Sequence, residues 1–129
     1  MNRVERNSLS GIILDSSIEV HKNLGPGLLE SVYETCLCKE LNLKGIKYKK
    51  QLSLPINYKG FQLDSDFRID ILIENEIIVE LKAIESLLPV HEAQLLTYLK
   101  LANKRLGLLI NFNVPKLVDG FKRMISGYD

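Results

Sequence analysis

The chain predicts a single α/β domain with the element order α-α-β-β-β-α-β-α. Three observations carry this. Apolar residues recur at a helical period from about Leu9 to Leu43. At Lys47 the period changes to alternation. After a third helical segment comes "RLGLLINF" (105–112), a continuous apolar run of the kind found in strands covered on both faces. With 129 residues there is room for one core but not comfortably for two. No repeat, linker or low-complexity stretch divides the chain, so residues 1–129 are read as one domain with its core from about 10 to 124.

Ser8 and Ser10 are candidate N-caps for a first helix from about Leu9 to Asn23, with Ile12, Ile13, Ile18 and Val20 as apolar contacts. "NLGPG" (23–27) ends it: Gly25 suits a C-cap, and Pro26 lacks the N–H needed to continue. A second helix runs from about Leu28 to Leu43, with Leu29, Val32, Tyr33, Cys36, Leu37 and Leu41 near the 3.6 period and Gly45 closing it. "YKKQLSLPINY" reads as a strand, at an edge or bent where Pro55 interrupts it. "KG" (59–60) is a turn, and strands follow near 65–73 and 77–84 around the polar "ENE" (74–76). Pro89 opens a third helix, 89–102. The strand 105–112 comes next, and a short helix is expected after Pro115.

Several function classes find no support. No apolar run is long enough to span a bilayer, and "MNRVERNSLSG" has no signal-type stretch, so a cytoplasmic protein with no membrane partner is expected. Cys36 and Cys38, two apart on a helix, point to different sides and are badly placed to bridge. No His/Cys spacing suits zinc. Gly25 and Gly27 lack the spacing of a phosphate loop. His21 sits where a helix dipole accounts for it, and His91 suits an exposed helix start. A net charge of +1 gives no global basic field, although "KGIKYKK" (44–50) is locally basic.

The chemistry concentrates in "FRIDILIENEIIVELKA" (67–83), an apolar hairpin carrying Asp70, Glu80 and Lys82. An unpartnered buried charge costs several kcal/mol. Residues two apart on a strand share a face, so Glu80 and Lys82 point the same way. Asp70 joins them only in the right register. A three-residue loop, Glu74–Asn75–Glu76, pairs Ile73 with Ile77 and puts Asp70 across from Glu80; a two-residue turn needs a compensating bulge. Facing carboxylates repel. A hard divalent cation between them relieves the repulsion, and Mg²⁺ takes a few carboxylate oxygens together with waters and phosphate oxygens. A hairpin with one wet face, a Glu–Lys ion pair and a solvated Asp70 is the alternative from these residues alone.

The pattern D-x9-E-x-K resembles the core of the PD-(D/E)XK nuclease superfamily, with Ile69 where the first position of the "PD" pair stands. "GLLESVY" (27–33) matches G-x-x-E-x-x-Y, the signature of the GxxExxY protein family, and "HEAQLLTYLKL" and "GLLINFNVP" look like that family's later segments. The resemblance runs from about Ser10 to Met124. It implies a restriction-endonuclease-like αβββαβ core with a mixed central sheet, an extra N-terminal helix and a short C-terminal helix.

The resemblance also implies roles. Asp70, Glu80 and the backbone carbonyl of Leu81 would bind Mg²⁺ or Mn²⁺, with Glu30 reaching the metal directly or through water. Lys82 would assist attack on the phosphodiester, and Gln94 and Tyr98 look like the Q-x-x-x-Y pair of some of these nucleases. Glu30 equally suits the positive end of its helix, and Tyr98 equally suits a packed position with its hydroxyl satisfied. The expected activity is metal-dependent hydrolysis of nucleic acid, DNA rather than RNA. The alternative is a catalytically silent module of the same fold that binds nucleic acid or a protein. A homo-oligomer is left open.

Overall fold

A computed structural model describes residues 1–64 and 67–127. Helix α1 spans Arg3–Leu24 and α2 spans Glu30–Leu43. The strands are β1 (Tyr48–Ser53), β2 (Ile56–Tyr58), β3 (Phe61–Leu63), β4 (Arg68–Ile73), β5 (Ile77–Lys82), β6 (Leu106–Asn111) and β7 (Phe121–Ile125); helix α3, Pro89–Ala102, lies between β5 and β6. The main sheet has the order β1-β4-β5-β6-β7. It is mixed: β5 and β6 run parallel, joined through α3, and the other neighbours are antiparallel. The single α/β domain with a mixed central sheet is as expected, with three α-helices rather than four.

One face of the sheet is covered by α1 and α2, where Ile13, Tyr33, Leu37 and Leu41 meet Ile71, Ile73, Ile77, Val79 and Leu81. The other is covered by α3, where Leu95, Tyr98 and Leu99 meet Ile69, Leu72, Ile78 and Leu109. Burial on both faces explains why β6 reads as an unbroken apolar run. Gly107 lets α3 approach β6 closely, since a Cβ there would meet Leu95 Cδ1 at 2.9 Å.

Four features differ from expectation. Helix α1 starts six residues before Leu9, because Asn2 and Glu5 form a reciprocal capping box: Asn2 Oδ1 accepts the Glu5 N–H at 2.8 Å and Glu5 Oε1 accepts the Asn2 N–H at 3.2 Å. Ser8 and Ser10 lie inside the helix. The segment after Lys47 splits at Pro55 into β1 and a separate two-stranded hairpin, β2–β3, turning at Lys59 and Gly60. The strand expected near 65–73 begins at Arg68, and residues 65 and 66 lie outside the described residues. The short C-terminal helix is a single 3-10 turn, Leu117–Gly120; "FKRMI" behind it is β7, paired antiparallel to β6. Phe121 packs under α1 and α2 while Met124 packs under α3, so the segment alternates across the sheet. A run this short fits either period on paper.

Cys36 is half-buried and Cys38 buried, both as free thiols, and burial pushes the Cys38 thiol up. His21 Nε2 donates to Val114 O at 2.8 Å and ties α1 to the loop after β6.

Candidate active site

The hairpin has the odd loop. Ile73 pairs with Ile77, Leu72 with Ile78 and Ile71 with Val79, while Glu74 and Asn75 turn the chain at left-handed φ of 51° and 56°. That register carries Asp70 across from Glu80, but the backbone ladder stops one step short. Instead Asp70 Oδ2 accepts the Leu81 N–H at 2.8 Å.

At the same point the side chains change faces. On β4, Ile71 and Ile73 pack under α1 and α2, whereas Ile69 packs under α3; on β1, Tyr48 belongs to the first cluster and Leu52 to the second. Residues two apart on a regular strand share a face, so both strands roll over between these positions. The crossover residues are Asp70 and Gln51. Their neighbours pair, Lys50 with Ile71 and Leu52 with Ile69, but they themselves do not, and Gln51 has a left-handed φ of 51°. Such local breaks in a ladder re-aim side chains. Here the break opens the end of the sheet to both helical layers.

Glu80 lies beside this break, 7% exposed, with Oε1 lacking any hydrogen-bond partner. Its carboxyl is pushed up to about 9, first by burial and then by the adjacent Asp70 carboxylate. Lys82, half-buried two residues on, works in the opposite direction. Glu30 stands at the first position of α2. The residue is exposed overall, but partial burial of its carboxyl and the Asp70 charge raise it, against the pull of Lys82. From α3, Tyr98 is 6% exposed and its phenol is pushed up by burial and then by Glu80 and Asp70. Two helices and two strands thus bring Glu30, Asp70, Glu80, Lys82 and Tyr98 within electrostatic reach of one another. Gln94 is half-buried one turn before Tyr98 and is not hydrogen-bonded to this group among the described residues. His91 is occupied at the helix start, its Nδ1 accepting the Leu88 N–H at 2.9 Å.

The G-x-x-E-x-x-Y spacing has a physical reading. Gly27 holds a φ of 94°, open to glycine and strained for other residues. Tyr33, fully buried and stacked on Phe112 at 4.5 Å, donates from its hydroxyl to Gly25 O at 2.6 Å and accepts the Leu28 N–H at 3.1 Å. The tyrosine therefore clamps the turn that delivers Glu30. Sequence reasoning missed Glu34 and Gln51. Glu34 is one helical turn beyond Glu30, accepts from Gln51 Nε2 at 3.1 Å, and is raised by burial and, less strongly, by Asp70. The i,i+4 spacing of Glu30 and Glu34 was the available signal.

Among the described residues, no three His, Cys, Asp or Glu side chains converge tightly enough to hold a metal unaided. The donor set nevertheless fits a hard cation. Glu80 has a buried oxygen with no partner, facing a second carboxylate. Lys82 O accepts from the N–H of Phe112, the residue after β6, so by strand alternation the backbone of Leu81 turns toward β4, as its N–H on Asp70 shows. Its carbonyl is thereby available on the carboxylate side.

The family model of the PD-(D/E)XK nuclease superfamily matches residues 7–124. The chain belongs to the PD-(D/E)XK nuclease superfamily, whose members are typically metal-dependent. No curated protein and no solved structure matches the chain significantly. No helix of the described residues is long and apolar enough to cross a membrane.

Proposed function

We propose that this protein, a member of the GxxExxY group within the superfamily, is a Mg²⁺- or Mn²⁺-dependent phosphodiesterase acting on nucleic acid, DNA rather than RNA. The observation that carries the reading is the buried, partnerless Glu80 Oε1 set against Asp70. A packed sheet has no structural use for two facing carboxylates, whereas a divalent cation requires them.

In this reading Asp70, Glu80 and the Leu81 carbonyl hold the cation, and Glu30 accepts a hydrogen bond from water beside it or binds it directly. The cation, when bound, supplies Lewis-acid polarisation of the scissile phosphate and a lowered pKa for water. Lys82 places its ammonium against a phosphate oxygen or the attacking water, stabilising charge that develops during attack. Tyr98 offers a donor from the α3 side, and Gln94, one turn away, positions substrate or water. Asp70→Ala and Lys82→Ala are each expected to lower Mg²⁺-dependent cleavage by at least about 10²–10³-fold with an unchanged circular dichroism spectrum. The assay is a gel with single-stranded, duplex, nicked and branched DNA. Cleavage surviving in both variants would place the chemistry elsewhere.

The second reading is a catalytically silent module of this fold that binds nucleic acid or a protein. It is favoured by the absence, among the described residues, of three converging ligand side chains. Calorimetry with Mn²⁺ separates the two: a nuclease binds it in wild type and loses it in Glu80→Ala, while a silent module shows no difference.

A further inference from the structure

The β2–β3 hairpin is no part of the main sheet, yet it is rooted at the site. Its first arm leaves β1 at Ser53, two residues after Gln51, and its second enters β4 at Arg68, two residues before Asp70. At the root, Leu54 N donates to Phe67 O at 3.0 Å, and the Phe67 ring meets Tyr98 edge-on with centroids 6.2 Å apart. An aromatic contact thus joins the hairpin base to the site wall. Phe67 lies about 10 Å along the strand from Asp70 at 3.3 Å per residue.

Pairing within the hairpin is Ile56 with Leu63, Asn57 with Gln62 and Tyr58 with Phe61. Directly opposed residues share a face, as do residues two apart. Ile56, Tyr58, Phe61 and Leu63 therefore form one apolar face, and Asn57 and Gln62 the other. Tyr58 and Phe61, side by side at the tip, are 59% and 70% exposed. Lys59 turns the hairpin with its ammonium 5.4 Å from the Tyr58 ring centroid. Between 47 and 68 the chain carries five cations and two acids, although its net charge is only +1. Of these cations, only Lys59 belongs to the hairpin segment, beside Asp64 and Asp66 in sequence; Lys47, Lys49, Lys50 and Arg68 lie on or next to β1 and at the head of β4, so the basic excess sits on the strands that carry the hairpin.

We infer that the Tyr58–Phe61 face of the hairpin is a stacking platform for unpaired bases of the strand whose phosphodiester lies at Asp70 and Glu80. The inference rests on the nuclease reading and narrows its substrate to nucleic acid with a single-stranded segment beside the scissile bond. Exposed rings stack on bases of any sequence, because every base has a π face, while Lys59 between the two rings, Arg68 and the lysines of β1 are the cations that meet the backbone. A closed duplex presents only base edges and phosphates and offers these rings nothing to stack on. The aromatic residues run from Tyr98 against Phe67 at the hairpin base to Tyr58 and Phe61 paired at its tip.

The test is binding without cleavage, in EDTA, using the full chain. The probes are a single-stranded oligonucleotide carrying 2-aminopurine and its duplex. Wild type is expected to bind the single strand more tightly and to quench 2-aminopurine. Tyr58→Leu and Phe61→Leu, which keep an apolar surface but remove the ring, are each expected to weaken single-strand binding about ten-fold and leave duplex binding unchanged. Leucine variants that bind the single strand like wild type overturn the inference. So does sedimentation showing a wild-type dimer that the variants dissolve, because the face then belongs to a second copy. Quenching by a wild type that cleaves nothing in Mn²⁺ would sink the nuclease reading and leave the platform standing.

Discussion

The two halves of the β4–β5 hairpin are built on opposite principles. Toward the turn, Ile71, Leu72 and Ile73 face Val79, Ile78 and Ile77 in an unbroken ladder, each nearly or wholly out of water. Toward the open end the ladder fails at Asp70, a carboxylate accepts the backbone N–H that a strand would have taken, and Glu80 is buried with a bare oxygen. Burying an aliphatic side chain contributes about 1.5–3 kcal/mol. Burying a carboxyl without a full set of partners costs on that order or more. The turn half therefore stabilises the fold, and the open half draws on that stability to keep an unpartnered carboxyl oxygen buried.

Substitutions in the two halves should change stability with opposite signs. The largest effect belongs to the turn half. Ile71→Ala is expected to destabilise by about 2–5 kcal/mol, read as a lower urea midpoint that shifts by the same amount at every pH.

Glu80→Gln should act the other way, by on the order of 2 kcal/mol at neutral pH without metal. The carboxyl moves from 4.5 in its ordinary state to about 9 in the fold, so the folded chain retains a proton that the unfolded chain gives up. Its stabilising contribution is complete below about 4.5 and is lost as pH rises through about 9. The wild-type urea midpoint should fall across that window, and the glutamine variant, which cannot ionise, should lose that slope. Mn²⁺ should raise the wild-type midpoint at high pH and leave the variant unmoved. Parallel pH profiles for the two proteins would mean that Glu80 is not held protonated and that the two halves differ less than their geometry implies.

The same contrast explains what the sequence made legible. Helices and buried strands announce themselves by period, and the odd loop 74–76 followed from requiring Asp70 to face Glu80. Asp70, Glu80 and Lys82 stand out by residue type in an apolar hairpin, whereas Glu30 and Tyr98, which lie within electrostatic reach of them, are marked only by the motif resemblance. The crossover at Gln51 and Asp70 was not legible. Alternation is written in apolar side chains, and Gln51, polar and in a left-handed conformation, carries no sign of a face change. Glu34 was hidden for a related reason, since a carboxylate on an amphipathic helix reads as a solvated face until the strand it touches is known. Strand β7 was missed because five residues, two of them charged, fit helix and strand alike.

Tyr33→Phe tests how the open half is supplied from outside the hairpin. The stack on Phe112 survives this change, and what is lost is the hydroxyl that holds Gly25 O and the Leu28 N–H. Stability should fall by about 1–2 kcal/mol, the smallest of these effects. If the clamp works by delivering Glu30, its loss should also slow cleavage in the wild-type background and cost nothing further in Glu30→Gln, where the delivered group has already been changed. Contacting or coupled residues show such non-additivity and independent ones do not. Equal losses in both backgrounds would leave Tyr33 as packing alone. The tyrosine of the motif would then belong with the turn half of the hairpin, as a source of stability, and Glu30 would owe its position to α2 itself.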